Sequence, residues 1–109
     1  MPRDYKLYLE DILDAIKSIE EYTKELDITS FQNKKMAVDA VVRNLEIIGE
    51  AAKNIPSNIR EKYQQIEWKK IAGMRDILAH QYFGIDIDIL WDIVKTKLPS
   101  LKKSLKELL

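Results

Sequence analysis

Seven positions near the start of this chain constrain its fold more than any others. Tyr5, Leu9, Ile12, Ile16, Ile19, Thr23 and Leu26 follow one another at alternating steps of four and three residues. That spacing stacks side chains along one face of an α-helix. An isolated helix with such a stripe is marginal in water, so the pattern demands a partner helix of similar length. Nothing downstream suggests a sheet: no segment alternates with period two, and 109 residues contain only three Gly and three Pro. The chain must pack helix on helix.

The rest of the sequence divides accordingly. Asp27-Ile28-Thr29-Ser30 interrupts the first stripe and offers N-cap residues to the next element. From about Phe31 to Ile55, Val38, Val41, Val42, Leu45, Ile48 and Ala52 share a second helical face, with Gly49 in its midst. Glycine inside a helix costs about 1 kcal/mol against alanine, so Gly49 is expected to admit close approach of another helix. Pro56-Ser57-Asn58 ends that helix and starts a short one through about Gln64. A further helix spans Trp68 to Tyr82, closed by Phe83-Gly84. Asp86 or Asp88 caps the next, which runs through Leu90, Trp91 and Val94 until Pro99 kinks or restarts it. The expected fold is an all-α antiparallel bundle of four main helices plus a short one, in a single domain over residues 1–109.

Composition removes several classes of function. With no Cys there is no disulfide framework, thiolate metal site or Cys nucleophile, and one His excludes a His cluster within a single copy. Chemistry that needs two imidazoles must borrow the second from another copy. Lys+Arg and Asp+Glu both number 18, so the chain is not a polybasic nucleic-acid binder in bulk. Charge is nevertheless uneven: residues 1–27 hold eight acids and four bases, whereas residues 95–109 hold five lysines and one Glu. The simplest account is two solvated helix faces. No apolar run approaches the roughly 18 residues of a membrane span. The opening MPRDYKLYLEDILD lacks an apolar signal core, which predicts a cytoplasmic location.

The chemistry is concentrated in Gly73-Met74-Arg75-Asp76-Ile77-Leu78-Ala79-His80-Gln81-Tyr82-Phe83. At about 100° per residue, Ile71, Met74, Leu78 and Tyr82 define an apolar face. Arg75 falls inside that arc, where a charge is expensive unless it is paired or faces a cleft. Asp76 and His80 are i,i+4 neighbours, so the carboxylate can orient the imidazole and favour its charged form. Ala72 and Ala79 run between Arg75 and that pair, and the predicted surface is a shallow trough with a cationic wall and a His–carboxylate wall. Plainer accounts stand beside this one. His80 can simply complement a helix C-terminus, Arg75 can be an interior ion pair or a snorkelling residue, and Tyr82 can be a core tyrosine with a wet hydroxyl. Asp39, Glu46 and Glu50 share a strip with Arg43. Glu46 and Glu50 could in principle hold a divalent cation, but an ion-pair strip is the expected structure because Arg43 lies among them.

The spacing Arg75, His80, Tyr82 resembles the signature of HEPN-domain proteins of the HepT-like toxin family. Arg43-Asn44-Leu45-Glu46-Ile47-Ile48-Gly49-Glu50-Ala51-Ala52-Lys53 is similar to that family's second-helix pattern. So are Trp68-Lys69-Lys70-Ile71-Ala72-Gly73-Met74-Arg75-Asp76 and Asp88-Ile89-Leu90-Trp91-Asp92-Ile93. The resemblance extends from the first helix to about Leu101. It implies a HEPN-like helical homodimer and a metal-independent endoribonuclease without a cofactor. It also implies a toxin whose antitoxin is a minimal nucleotidyltransferase of the MNT type. That partner would silence it by transferring AMP to the motif tyrosine, here Tyr82. Asp76 matches the Asn or Asp that often follows the motif arginine.

Cleavage by a ribose 2′-hydroxyl needs a base, an acid and a cation for the crowded phosphorane. His80 is expected to move protons, Arg75 to stabilise the phosphate charge and Asp76 to orient His80. A two-fold dimer would supply the second His and Arg. The competing class is a non-catalytic helical module that binds a nucleotide or docks a nucleotidyltransferase, which suits zero net charge better. A bare coiled-coil assembly protein would explain the first helix and leave Arg75 unexplained.

Overall fold

The computed structural model describes residues 4–80 and 86–109, and the side chains of residues 75–77, 79 and 80 are not part of that description. Helix α1 spans Tyr5–Thr23, capped by the Asp4 carboxylate, which accepts from the Lys6 N–H. Five positions of the opening stripe, Leu9, Ile12, Ile16, Ile19 and Thr23, are buried. Thr23 is accommodated because its hydroxyl donates to the Ile19 carbonyl at 2.8 Å, which satisfies a polar group that burial would otherwise penalise. Tyr5 and Leu26, at the ends of the stripe, are half-buried against the core.

The second element departs from the expected single helix over 31–55. Asp27 and Ser30 form a reciprocal capping box that starts a short α2, Ile28–Gln32. Asn33 then closes it: its backbone N–H and its side-chain amide both donate to the Thr29 carbonyl, at 3.2 Å and 3.1 Å. Helix α3 begins afresh at Lys35 and runs to Lys53. The break is fixed by Phe31, which is fully buried and meets the Trp91 ring at a centroid distance of 4.9 Å. No local propensity signal distinguishes this break, because its cause lies sixty residues away in the chain.

Helix α3 is the centre of the bundle. It packs against α1 and against α5, Trp68–His80, the two principal helix pairs. Val41, Leu45, Ile48 and Ala52 are buried as the spacing predicts, and Gly49 is buried among them. Between α3 and α5 lies α4, Ser57–Lys62, capped by Pro56. Asp86 caps α6, Ile87–Asp92, accepting from Asp88 and Ile89 N–H groups at 2.9 Å and 3.3 Å. A π-helical turn, Ile93–Lys97, joins α6 to α7, Leu98–Leu108.

The wide turn is the structural response to Pro99. Proline lacks an N–H and its ring crowds the carbonyl four residues back. Here the Leu98 N–H donates to Ile93, five residues back, so the chain continues rather than stopping. Leu90, Val94, Leu98, Leu101 and Leu105 thereby stay on one buried face. Helix α7 packs on α1, and Lys102 Nζ reaches Glu20 at 2.9 Å. Part of the acidic–basic asymmetry is therefore met within one copy. The result is an all-α bundle, with no strand among the described residues. No described helix is long and apolar enough to cross a membrane.

Because Ile16 is completely buried between helices, Ile16→Ala should destabilise the fold by about 2–5 kcal/mol. Glu20→Ala, which removes only a partly exposed ion pair, should stay below about 1 kcal/mol. Urea denaturation of the two variants checks the contrast.

Candidate functional site

The first turn of α5 is held from outside the helix. Trp68 is buried, its N–H donates to the Ile66 carbonyl at 2.9 Å, and its indole Nε1 donates to the Tyr63 carbonyl at 3.1 Å. Ile71 is also buried, and Met74 and Leu78 pack against the core from the same side. These contacts fix the rotation of α5 on α3. Of the apolar face predicted from spacing, Ile71 is buried and Met74 and Leu78 are half-buried, while Tyr82 lies outside the described residues.

The other side of α5 carries Ala72 and Gly73, both half-buried; among the described residues, a Cβ placed on Gly73 would meet no heavy atom within 4 Å. Of the floor expected from Ala72 and Ala79, Ala72 is half-buried and Ala79 lies outside the described side chains, as do both expected walls. Arg75, Asp76 and His80 all belong to the continuous helix α5, which separates Asp76 from His80 by one turn, about 6 Å along the axis. Their side-chain contacts lie outside the described residues, and Tyr82 does so entirely.

On α3, Glu46 pairs with Arg43 at 3.7 Å and Asp39 pairs with Lys35 at 3.6 Å. The strip is therefore built from ion pairs, although Asp39 turns to Lys35 rather than Arg43. Both pairs are exposed and add little stability. Arg43, Glu46 and Glu50 border a cleft of about 340 Å³ between α1 and α3, together with Tyr8 and Asp11. Among the described residues, no group of three or more Asp, Glu or His side chains is arranged to hold a metal ion.

A larger cleft, about 790 Å³, opens between α4 and the start of α5, lined by Arg60, Glu61, Glu67, Trp68, Lys69 and Lys70 among others. Sequence reasoning missed it. Lys70 Nζ lies 2.8 Å from Glu67; the hydrogen bond, and then the ammonium charge, hold the Glu67 carboxyl below its ordinary range. The same contact raises the Lys70 ammonium. A periodic signal was available: Lys69, Gly73, Asp76 and His80 recur at steps of four, three and four on α5. The cleft itself needs α4 folded back beside that helix, which no spacing reveals.

An all-helical bundle with an Arg–His helix packed on a central partner is the architecture found, and comparison with known proteins places it. Residues 12–108 match the family described as "Ribonuclease HepT-like". The chain belongs to this HepT-like ribonuclease family. A Thermococcus cleftensis protein named "Probable ribonuclease HepT" is 48% identical over 108 residues, covering 99% of this chain and 98% of that one. A Methanocaldococcus jannaschii protein named "Putative RNase MJ1380" is 47% identical over 104 residues, covering 95% of each. Another from the same organism, named "Gamma-glutamylcyclotransferase and putative RNase MJ0434", is 48% identical over all 109 residues, and this chain spans 49% of its length. No solved structure matches the chain at a significant level.

The open space at Gly73 yields a direct test. Gly73→Ala should stabilise the isolated protein by roughly 0.5–1 kcal/mol through helix propensity alone. A lowered melting temperature would show that this face is covered in solution.

Proposed function

We propose that this chain is an endoribonuclease that cleaves RNA through Arg75 and His80 of α5, with Asp76 orienting the imidazole. Membership of the HepT-like ribonuclease family over residues 12–108 is the observation that carries this reading. The continuous helix Trp68–His80 supports it, because it keeps the three positions within two turns of one another. The whole of residues 1–109 acts as one domain.

In the proposed reaction, the neutral imidazole of His80 takes the proton of the 2′-hydroxyl as that oxygen attacks the adjacent phosphorus. Arg75 stabilises the charge that gathers on the non-bridging oxygens of the phosphorane. The bond to the 5′-oxygen then breaks, and that oxygen receives a proton from the imidazolium of a second copy. The products are a 2′,3′-cyclic phosphate and a free 5′-hydroxyl. One His per chain makes a two-fold homodimer the natural catalytic unit. No metal or cofactor takes part, and the site works in the cytoplasm.

The enzyme is the toxin of a pair whose antitoxin is an MNT-type nucleotidyltransferase. AMP transferred to the Tyr82 hydroxyl would leave pyrophosphate and set an anion beside Arg75, occupying the RNA site and neutralising its cation.

His80→Ala should abolish RNA cleavage measured with chelator present, while sedimentation shows the same assembly as wild type. Cleavage undiminished by that change would remove His80 from the reaction, and no cleavage by the wild type would leave a non-catalytic module that docks the nucleotidyltransferase. Intact-mass measurement after incubation with ATP and the transferase should show one AMP adduct, absent from Tyr82→Phe. An adduct that persists in Tyr82→Phe would exclude this control mechanism.

A further inference from the structure

The cleft between α4 and α5 has no part in the catalytic steps above, yet its charge is not balanced internally. Lys70 and Glu67 neutralise each other at 2.8 Å. Arg60 and Lys69 remain against a single opposing carboxylate, Glu61. Among the described residues neither cation has an ion-pair partner. Arg60 Nε is moreover shielded from solvent and donates to no acceptor there. A guanidinium without a carboxylate partner suits a phosphate, two of whose oxygens match its planar fork.

The position of Lys69 connects this cleft to the rest of α5. It begins the strip that continues through Gly73 to the Asp76 and His80 positions, and among the described residues nothing lies within 4 Å of a Cβ placed on Gly73. From Lys69 to His80 the axial rise is roughly 16 Å, too far for Lys69 to hold the reacting phosphate. The distance suits neighbouring phosphates of the same strand. For a chain of zero net charge, such a local cationic cleft supplies attraction that the bulk protein does not.

We propose that the α4–α5 cleft is an accessory subsite for the RNA backbone, where Arg60 and Lys69 bind phosphates flanking the scissile one and lead the strand along the Ala72–Gly73 strip. This inference rests on the ribonuclease reading for its choice of ligand. It adds the residues that grip the substrate away from the reaction.

The test uses a fluorescein-labelled single-stranded RNA, fully 2′-O-methylated so that binding is measured without cleavage. Lys69→Gln should weaken binding several-fold and lower the slope of log Kd against log salt by about 0.7, the contribution of one phosphate contact to a single strand. Arg60→Gln combined with Lys69→Gln should lower it by about twice as much. On cleavable RNA the loss should appear in KM rather than kcat, and should vanish for a dinucleotide too short to reach the cleft. Lys103→Gln, an exposed lysine on α7, should behave as wild type.

Unchanged affinity and salt slope in Lys69→Gln overturn the subsite, and that exposed residue decides the matter even if the Arg60 variant fails to fold. Weakened AMP binding with RNA binding intact overturns it as well, by assigning the cleft to a nucleotide. If the wild type binds the methylated RNA through Lys69 but never cuts unmodified RNA, the subsite stands and the nuclease reading falls.

Discussion

The packing of α3 against two helices at once is the constraint on which the rest of this structure depends. Its buried face must be wide enough to seat α1 on one flank and α5 on the other. The residues that meet this need are small as well as apolar: Ala37, Gly49, Ala51 and Ala52 are buried beside Val41, Leu45 and Ile48. Small side chains let helix axes approach, while the larger ones supply most of the apolar area removed from water. A charge at the centre of this face would meet two neighbours, whereas Arg43, Glu46 and Glu50 border the cleft that α3 shares with α1.

That arrangement has a consequence for chemistry. Among the described residues, helix α5 is seated by its apolar contacts with the core and by the anchored indole of Trp68. The apolar residues Ile71, Met74 and Leu78 turn inward, while Ala72 and Gly73 lie on the other side, half-buried. The proposed site residues thus sit on a rigid helix, whereas a loop would have to be ordered first. The same seating aligns Lys69 with the positions of Asp76 and His80. The cleft at the start of the helix and the Arg–His positions toward its end therefore share one continuous element.

Two local devices show how the bundle tolerates irregular sequence. The capping box at Asp27 and Ser30 permits a five-residue helix to turn the chain between α1 and α3. The π-helical turn before Pro99 absorbs the missing N–H without exposing the Leu90–Leu105 face. In both cases burial of large apolar groups, Phe31 in one and Leu98 in the other, outweighs the irregular hydrogen bonding. The Lys102–Glu20 contact then links α7 to α1, but it is partly exposed and follows the packing rather than directing it.

The sequence by itself determined the helical class, the inward face of α1, most of the α3 stripe and a cap at Asp86 or Asp88, of which the structure takes Asp86. Each is a local or periodic property, carried by spacings of three and four residues or by one side chain and the next turn's N–H groups. The Arg75, Asp76 and His80 positions were legible for the same reason, as a fixed spacing on one helix. Tertiary structure alone decided where the chain breaks at Asn33, because Phe31 finds its partner in distant Trp91. It also decided that Pro99 would be passed by a wide turn, that Asp39 would pair with Lys35, and that Arg60 would share a cleft with Lys69. These outcomes depend on which elements become neighbours, and that is set by the packing of whole helices, which no short window of residues contains.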